Sequence, residues 1–342
     1  MIRPSLRPAA TFLAALLALP ATAQVTTLKM ATLVPENSSW FRVLREMGDA
    51  WNRSSGGRVR LVLYPGGRQG DDPDVVRKMH LGSLQGALLA SPGLATIDRS
   101  VYAMSLPLAF DSNEELDAVM ERMRPRLEAN LAAKGFVVLN WAEGGWIQFF
   151  SKKPVATPDD LRHLKLFQWA GDPEGLEIWK AAGFNPVVAP ATELATGLQT
   201  GLLEAFTTSP QIVLITRYYE QAPYMADLKW AMILAATVVT REAWAKVPAD
   251  ARPAMLQAAR DAGDKLRADT RASASRDLQA LRQAGLKVVP VDAAARAQWH
   301  RVVDGTSGKL RGEFVSAEAY DEVMGHLAEV RKARRTVSGG KQ

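Results

Sequence analysis

Residues 157–206 confine this chain to a narrow set of folds, because the stretch alternates repeatedly between α- and β-type patterning. Thr157 is placed to accept from the first amides of a short helix, with Pro158 at its first position. Residues 164–167 read as a short strand. Asp172 and Pro173 open a second helix whose Leu176, Ile178 and Trp179 face inward, and Gly183 stops it. Residues 185–189 read as the next strand and 192–200 as a helix ended by Gly201. Residues 202–206 read as a third strand. Short strands alternating with short helices specify an α/β unit with a mostly parallel sheet. Ligands of such sheets sit beyond the carboxyl ends of the strands, which directs attention to Phe167-Gln168-Trp169 and Phe206-Thr207-Thr208.

The first half repeats the grammar. Residues 28–34 form a strand, and Ser38 or Ser39 can cap a helix on which Trp40, Leu44, Met47 and Trp51 recur at helical spacing. Residues 54–57 break it, and Val59, Leu61 and Leu63 alternate as a second strand. Asp72 and Pro73 begin another helix, residues 86–90 a strand of small side chains. Ser112 with Glu115 makes a capping box for a long helix ending near Lys134. Residues 136–141 are the following strand. Two α/β units are therefore expected, joined near residues 141–150, where Gly144-Gly145 marks a hinge or a close backbone approach. Residues 230–240 are a long apolar strand suited to crossing between the units. Residues 250–284 are helical over roughly 50 Å, longer than one such unit. Met255, Ala258, Ala262, Leu266 and Leu278 point inward on that helix.

At 342 residues there is room for one large or two moderate domains with ample cores. Arg3 and Arg7, an apolar run over residues 9–19 and the small residues Ala21 and Ala23 form a secretory signal, too short for a spanning helix. Cleavage after Ala23 takes two arginines from the formal charge of +6, leaving +4. With no cysteine, the exported chain has no disulfide, no lipid-anchoring thiol and no thiolate chemistry. Its basic residues are interspersed with acids, which argues against nucleic acid. The exception, Arg331 to Arg335, reads as a solvated, frayed tail or a patch for a membrane partner.

Signals for catalysis are missing. His80, His163, His300 and His326 lie far apart, and no metal-ligand spacing, Walker loop, G-x-S-x-G elbow or G-x-G-x-x-G motif occurs. The pairs Asp71-Asp72, Glu114-Glu115 and Asp159-Asp160 stand at helix starts, where they complement the helix dipole. The chain is expected to be no enzyme and to need no cofactor or metal.

The blocks Thr157-Pro158-Asp159-Asp160-Leu161, Leu164-Lys165-Leu166, Gly183-Phe184-Asn185-Pro186 and 193–201 resemble, in order, those of the solute-binding proteins of tripartite ATP-independent periplasmic (TRAP) transporters, DctP type. Residues 64–70, 106–110 and 151–154 extend the ordered resemblance back to residue 64. It implies a two-lobed periplasmic-binding-protein-like α/β fold, each lobe a sheet flanked by helices, with a long helix bridging the lobes. The division expected is a signal peptide 1–23, lobe I from 24–145 plus 231–265, lobe II from 146–230 plus 266–330, and a basic tail 331–342. The implied function is capture of a small organic solute between the lobes and delivery to membrane permease subunits, by a monomer in the periplasm.

One departure matters. Phe167 stands where the family usually has an arginine that clamps a substrate carboxylate, and Thr207 or Thr208 replaces an asparagine or acid. A phenylalanine offers apolar area and leaves a buried carboxylate unpaired, so the solute should have an apolar or aromatic body. Candidate ligand contacts are Asn37, Trp40, Gln69, Ser91, Trp146, Gln148, Phe149, Phe167, Trp169, Phe206, Thr207 and Thr208, with Phe150 and Gln168 beside them. Arg42, Arg68 or Arg217 could substitute for the missing cation, which leaves an organic acid as the alternative ligand. A sensory or scaffolding protein without a transport role and an exported isomerase or hydrolase are the other readings. Neighbouring genes for permease subunits or for a histidine kinase separate transport from sensing.

Overall fold

The computed structural model describes residues 25–339, so the signal and its cleavage site lie outside the described residues. Ten strands occur in it: β1 (Thr26–Thr32), β2 (Val59–Tyr64), β3 (Gly86–Ala90), β4 (Phe136–Ser151), β5 (Lys165–Trp169), β6 (Asn185–Ala189), β7 (Ala205–Thr208), β8 (Tyr224–Ala226), β9 (Ala231–Thr240) and β10 (Lys287–Val289). The order β2-β1-β3-β9-β4-β7-β5-β6 joins two sheets through one long strand. Parallel β1, β2 and β3 are followed by β9, antiparallel to β3, and then by β4. From Phe136 to Ile147, β4 pairs with β9. From Gln148 to Ser151 it pairs instead with β7, and Phe150 and Ser151 also pair with β8. Beyond β7 lie β5 and β6, all parallel, and β10 extends β8.

β4 therefore continues through the expected joint at residues 141–150. Register shifts near Asn140 and between Glu143 and Gly145 bend it. Gly145 has φ +92°, and a Cβ on Gly144 would lie 2.8 Å from Ile233 Cγ2, so both glycines serve a bulge against β9. The third strand of the second unit starts later than the sequence suggests. Leu203 drops into the core while Leu202 is exposed on the preceding turn, and pairing begins at Ala205.

The helices form where capping and periodicity require. Ser38 Oγ accepts from Phe41 N at 3.1 Å to start Ser39–Ser54, whose Trp40, Val43, Leu44, Met47 and Trp51 are buried. Thr157 and Asp160 complete a reciprocal capping box. Ser112 Oγ accepts from Glu115 N, whereas the Glu115 carboxylate accepts from Asp111 N.

Two hydrophobic cores flank the first sheet and two the second. The helix Arg252–Gln283, about 48 Å at 1.5 Å per residue, connects them. Its Met255, Ala259, Ala262 and Leu266 belong to a core of the first half, and Leu281 to one of the second. Ala259 rather than Ala258 is fully buried on it.

The end of the chain departs from the expected division. Leu310, Phe314, Val315, Ala319, Val323 and Leu327 pack into the first core, not onto the second half. Nor is residue 331 the start of a frayed tail: Ala317–Gly339 is helical. Arg331 donates to Glu115 Oε2 and Asp111 Oδ2, both at 2.9 Å, which draws the helix onto the start of Asn113–Ala133.

Candidate functional site

A cavity of about 590 Å³ lies between the two halves, within the range of small-ligand sites. Its wall is assembled at the carboxyl ends of strands. Leu33 and Val34 follow β1, Gly66 follows β2, and Ser91 follows β3. Phe167, Gln168 and Trp169 end β5, and Thr207 and Thr208 end β7.

Of the residues singled out on sequence, Trp40, Ser91, Phe167, Trp169, Thr207 and Thr208 line this cavity, as does Gln168. Several have little spare polarity. Trp40 Nε1 donates to Thr270 Oγ1 at 2.9 Å, and Ser91 Oγ donates to the Leu234 carbonyl at 2.9 Å. Trp169 Nε1 donates to Asp71 Oδ2. Gln168 Nε2 donates to the Asp172 carbonyl at 2.9 Å. Phe167 is half-buried, one face on the core that contains Phe206.

The remaining candidates lie elsewhere. Asn37 is exposed, and Gln69 is held by Lys78 Nζ, which donates to its Oε1 at 3.1 Å. Trp146 Nε1 donates to Asn113 Oδ1 at 2.9 Å. Gln148 is buried beside β7, and its Oε1 has no partner. Phe149 is fully buried against Trp299 and Trp230, with ring centroids 4.9 and 5.2 Å away, so it supports the floor beneath Trp230. Phe206 stacks on Phe150 at 5.6 Å in the core behind Phe167. Arg42, Arg68 and Arg217 are exposed and do not line the cavity.

Sequence reasoning passed over Tyr102, Phe314, Trp230 and Tyr218, all of which line it, together with Trp179, read only as a core residue. These come from five separate segments, and no local pattern unites them. Asp72, read as a helix-start residue, lines it too.

The electrostatics are one-sided. Lining acids are Asp72, Glu143 and Asp172, and no lysine, arginine or histidine is among the lining residues. Two of the acids are compensated from behind. Glu143 receives Arg271 Nε at 2.9 Å and Nη2 at 2.5 Å. Asp172 receives Arg99 Nη2 at 3.4 Å and caps Gly175 N at 3.2 Å. Burial nevertheless raises the Asp172 pKa, with Arg99 opposing, and burial followed by the Asp172 charge pushes the Tyr102 hydroxyl well above its usual value. Asp72 is different. It is 1% exposed, and neither carboxylate oxygen has a well-formed hydrogen bond. It packs on Gly93, where a Cβ would lie 2.1 Å from its Oδ2. Burial first, then the charge of Asp71, push its pKa well above the ordinary carboxylate range, and only the backbone amide at Ala90 opposes them.

Contacts across the mouth hold the halves together. Asp71 Oδ2 accepts from Ala191 N at 2.8 Å as well as from Trp169, and Arg99 Nη1 donates to Glu174 Oε2 at 2.6 Å. Among the described residues no group of acids and histidines could hold a metal ion, and no helix is long and apolar enough to cross a membrane.

Two α/β halves sharing a crossing strand and a bridging helix, with a ligand-sized cavity between them, define a solute-binding protein. Residues 30–309 match the profile of the bacterial extracellular solute-binding protein family 7, and the chain belongs to that family, the DctP-type receptors of TRAP transport. Family members are periplasmic solute-binding proteins, not enzymes. A solute-binding protein of Roseobacter denitrificans is 24% identical over 289 residues, covering 84% of this chain and 88% of that one. The C4-dicarboxylate-binding periplasmic protein of Rhodobacter capsulatus is 23% identical over 326 residues, covering 94% and 96%. The sugar acid binding protein of Advenella mimigardefordensis, solved in complex with galactonate, superposes with a TM-score of 0.83 at 19% identity, covering 90% of this chain and 99% of that one.

Proposed function

We propose that the chain is the periplasmic receptor of a TRAP-type secondary transporter, specialised for a small organic solute with an apolar or aromatic body. It works as a monomer, exported by a signal cleaved after Ala23, and hands the solute to membrane permease subunits. The observation that carries the solute class is the cavity wall: aromatic rings, hydroxyls and three acids, with no basic side chain. A ring-lined wall gains roughly 25 cal/mol for each Å² of apolar surface it covers. A carboxylate enclosed there without a cation loses several kcal/mol. The Thr207 and Thr208 hydroxyls stand at the cavity as neutral groups able to orient such a solute.

The second reading is an organic acid bound through a different arginine. The galactonate of the Advenella protein and the dicarboxylates of the Rhodobacter protein favour it. So does Arg99, which stands directly behind the lining residue Asp172. A thermal-shift screen decides between them. Stabilisation by aromatic or amide-bearing solutes and none by small aliphatic acids supports the first. Tight binding of an aliphatic acid, unaffected by Phe167→Ala, refutes it.

A further inference from the structure

The acids around the cavity outnumber what the protein itself neutralises. Glu143 has Arg271 and Asp172 has Arg99. Asp72 has no cation and only a poorly aligned backbone amide at Ala90, although it is buried in the wall of a site otherwise fitted to a ligand. Its neighbour Asp71 accepts from Trp169 and Ala191 but pairs with no cation among the described residues. A desolvated carboxyl left unpartnered is costly, and proteins keep such groups where something else completes them.

The rest of the wall is suited to the same completing group. Trp40, Tyr102, Phe167, Trp169, Trp179 and Trp230 present rings to the cavity. Ring faces attract cations most strongly where water is excluded. The protein already uses this attraction beside the site: the Arg99 guanidinium carbon lies 5.4 Å from the Tyr102 centroid and 5.3 Å from that of Phe314.

We propose that the solute carries a positively charged nitrogen, an amine or ammonium group, held by aromatic faces with Asp72 as its counter-ion. This rests on the reading of the cavity as the solute site and makes it narrower: the apolar body is cationic at one end. Phe167 in place of an arginine is then a change of ligand charge rather than a loss of binding. Asp72 acts as a specificity-determining residue. Its oxygens are covered in the wall against Gly93, so the side chain turns into the cavity as it ionises against the arriving cation.

The test uses three probes of one shape: phenethylamine, its neutral N-acetyl derivative and 3-phenylpropionate, titrated calorimetrically into the full mature chain. The amine should bind at least about tenfold more tightly than either of the others, the scale of a charge-assisted hydrogen bond. Asp72→Asn should remove that preference, bringing the amine to within about threefold of the neutral probe. Phe167→Leu should reduce it several-fold, and this variant serves if Asp72→Asn does not fold. Equal binding of amine and neutral probe, an amine preference untouched in the variants, or no amine binding overturns the proposal. Binding of the neutral probe alone overturns the cation while leaving the apolar-solute reading intact. Preference for 3-phenylpropionate and for aliphatic acids overturns both.

Discussion

Replacing Arg271 with methionine should destabilise the protein by about 3–5 kcal/mol, nearly all of it through one carboxylate. Arg271 lies on the bridging helix and forms two forks. One holds Asp117, with Nη1 to Oδ2 at 2.8 Å and Nη2 to Oδ1 at 2.7 Å; the other holds Glu143. The Asp117 side chain is 50% exposed, and losing its partner costs at most about 1 kcal/mol. The Glu143 side chain is 5% exposed, so without Arg271 a buried charge stays uncompensated. Methionine keeps much of the apolar stem, which isolates the charge effect. The assay is a cycle of urea denaturations at pH 7 on wild type, Asp117→Asn, Arg271→Met, Glu143→Gln and the Arg271→Met/Glu143→Gln double variant. Asp117→Asn should cost less than about 1 kcal/mol, and the double variant should recover most of what Arg271→Met loses. If Arg271→Met were no worse than Asp117→Asn, water rather than Arg271 would be serving Glu143, and the reasoning would fail.

Asp72 has a raised pKa in the folded state, so its stability contribution is complete below the unfolded value of 3.8 and declines as pH rises above it. Asp72→Asn should therefore raise the unfolding temperature at pH 7 and lose that advantage near pH 4; an advantage independent of pH contradicts the assignment. Asp71→Ala removes a carboxylate that joins the halves, and small-angle scattering of the solute-free protein should show a larger radius of gyration than wild type. Phe167→Arg should introduce binding of aliphatic carboxylates such as galactonate, read as a thermal shift absent from wild type. N-terminal sequencing of periplasmic material should begin at Gln24, and a chain still starting at Met1 would remove the export reading.

Local signals explain what was legible beforehand. Ser38, Thr157 and the Asp172-Pro173 pair mark helix starts through capping chemistry that needs only neighbours in sequence. The strand-end rule led to Phe167, Trp169, Thr207 and Thr208 for the same reason: the order of elements shows where the parallel strands end. Phe206 directly precedes Thr207, and successive strand residues face opposite sides, whereas Phe149 is the cross-strand partner of Thr207 on β4. On this bent sheet the two rings went into the cores. Tyr102, Trp230 and Phe314 are a different case. Each belongs to a segment whose own pattern says only that it is apolar. Their meeting depends on how the 3₁₀ turn Arg99–Ser105, the start of β9 and the C-terminal region fold over one another. Asp72 was read correctly as a helix-start acid, yet its burial arises from Gly93 on another helix, which spacing along the chain does not encode.

The cavity and the contacts that close it are built from different chemistry, and this bears on how much a solute must contribute. Asp71 and Arg99 bind the halves to each other through Ala191, Trp169, Asp172 and Glu174, all on the second half. All of these contacts are made between protein groups. A ligand shifts a two-state equilibrium only by its differential affinity for the two states. Closure supported in part by protein–protein hydrogen bonds leaves less for the ligand to supply, and spares more of its interaction energy for affinity. The balance has a limit, since contacts that closed the cleft fully would bar entry. The exposures fit that limit: Arg99 and Glu174 side chains are 27% and 38% exposed, so water competes for this pair and it contributes little. Asp71, 6% exposed, is the stronger closing contact. It is joined in sequence to Asp72, the one acid of the cavity wall that the protein leaves without a cation. The same two-residue step thus directs one carboxylate to the opposite half and sets the next in the cavity wall.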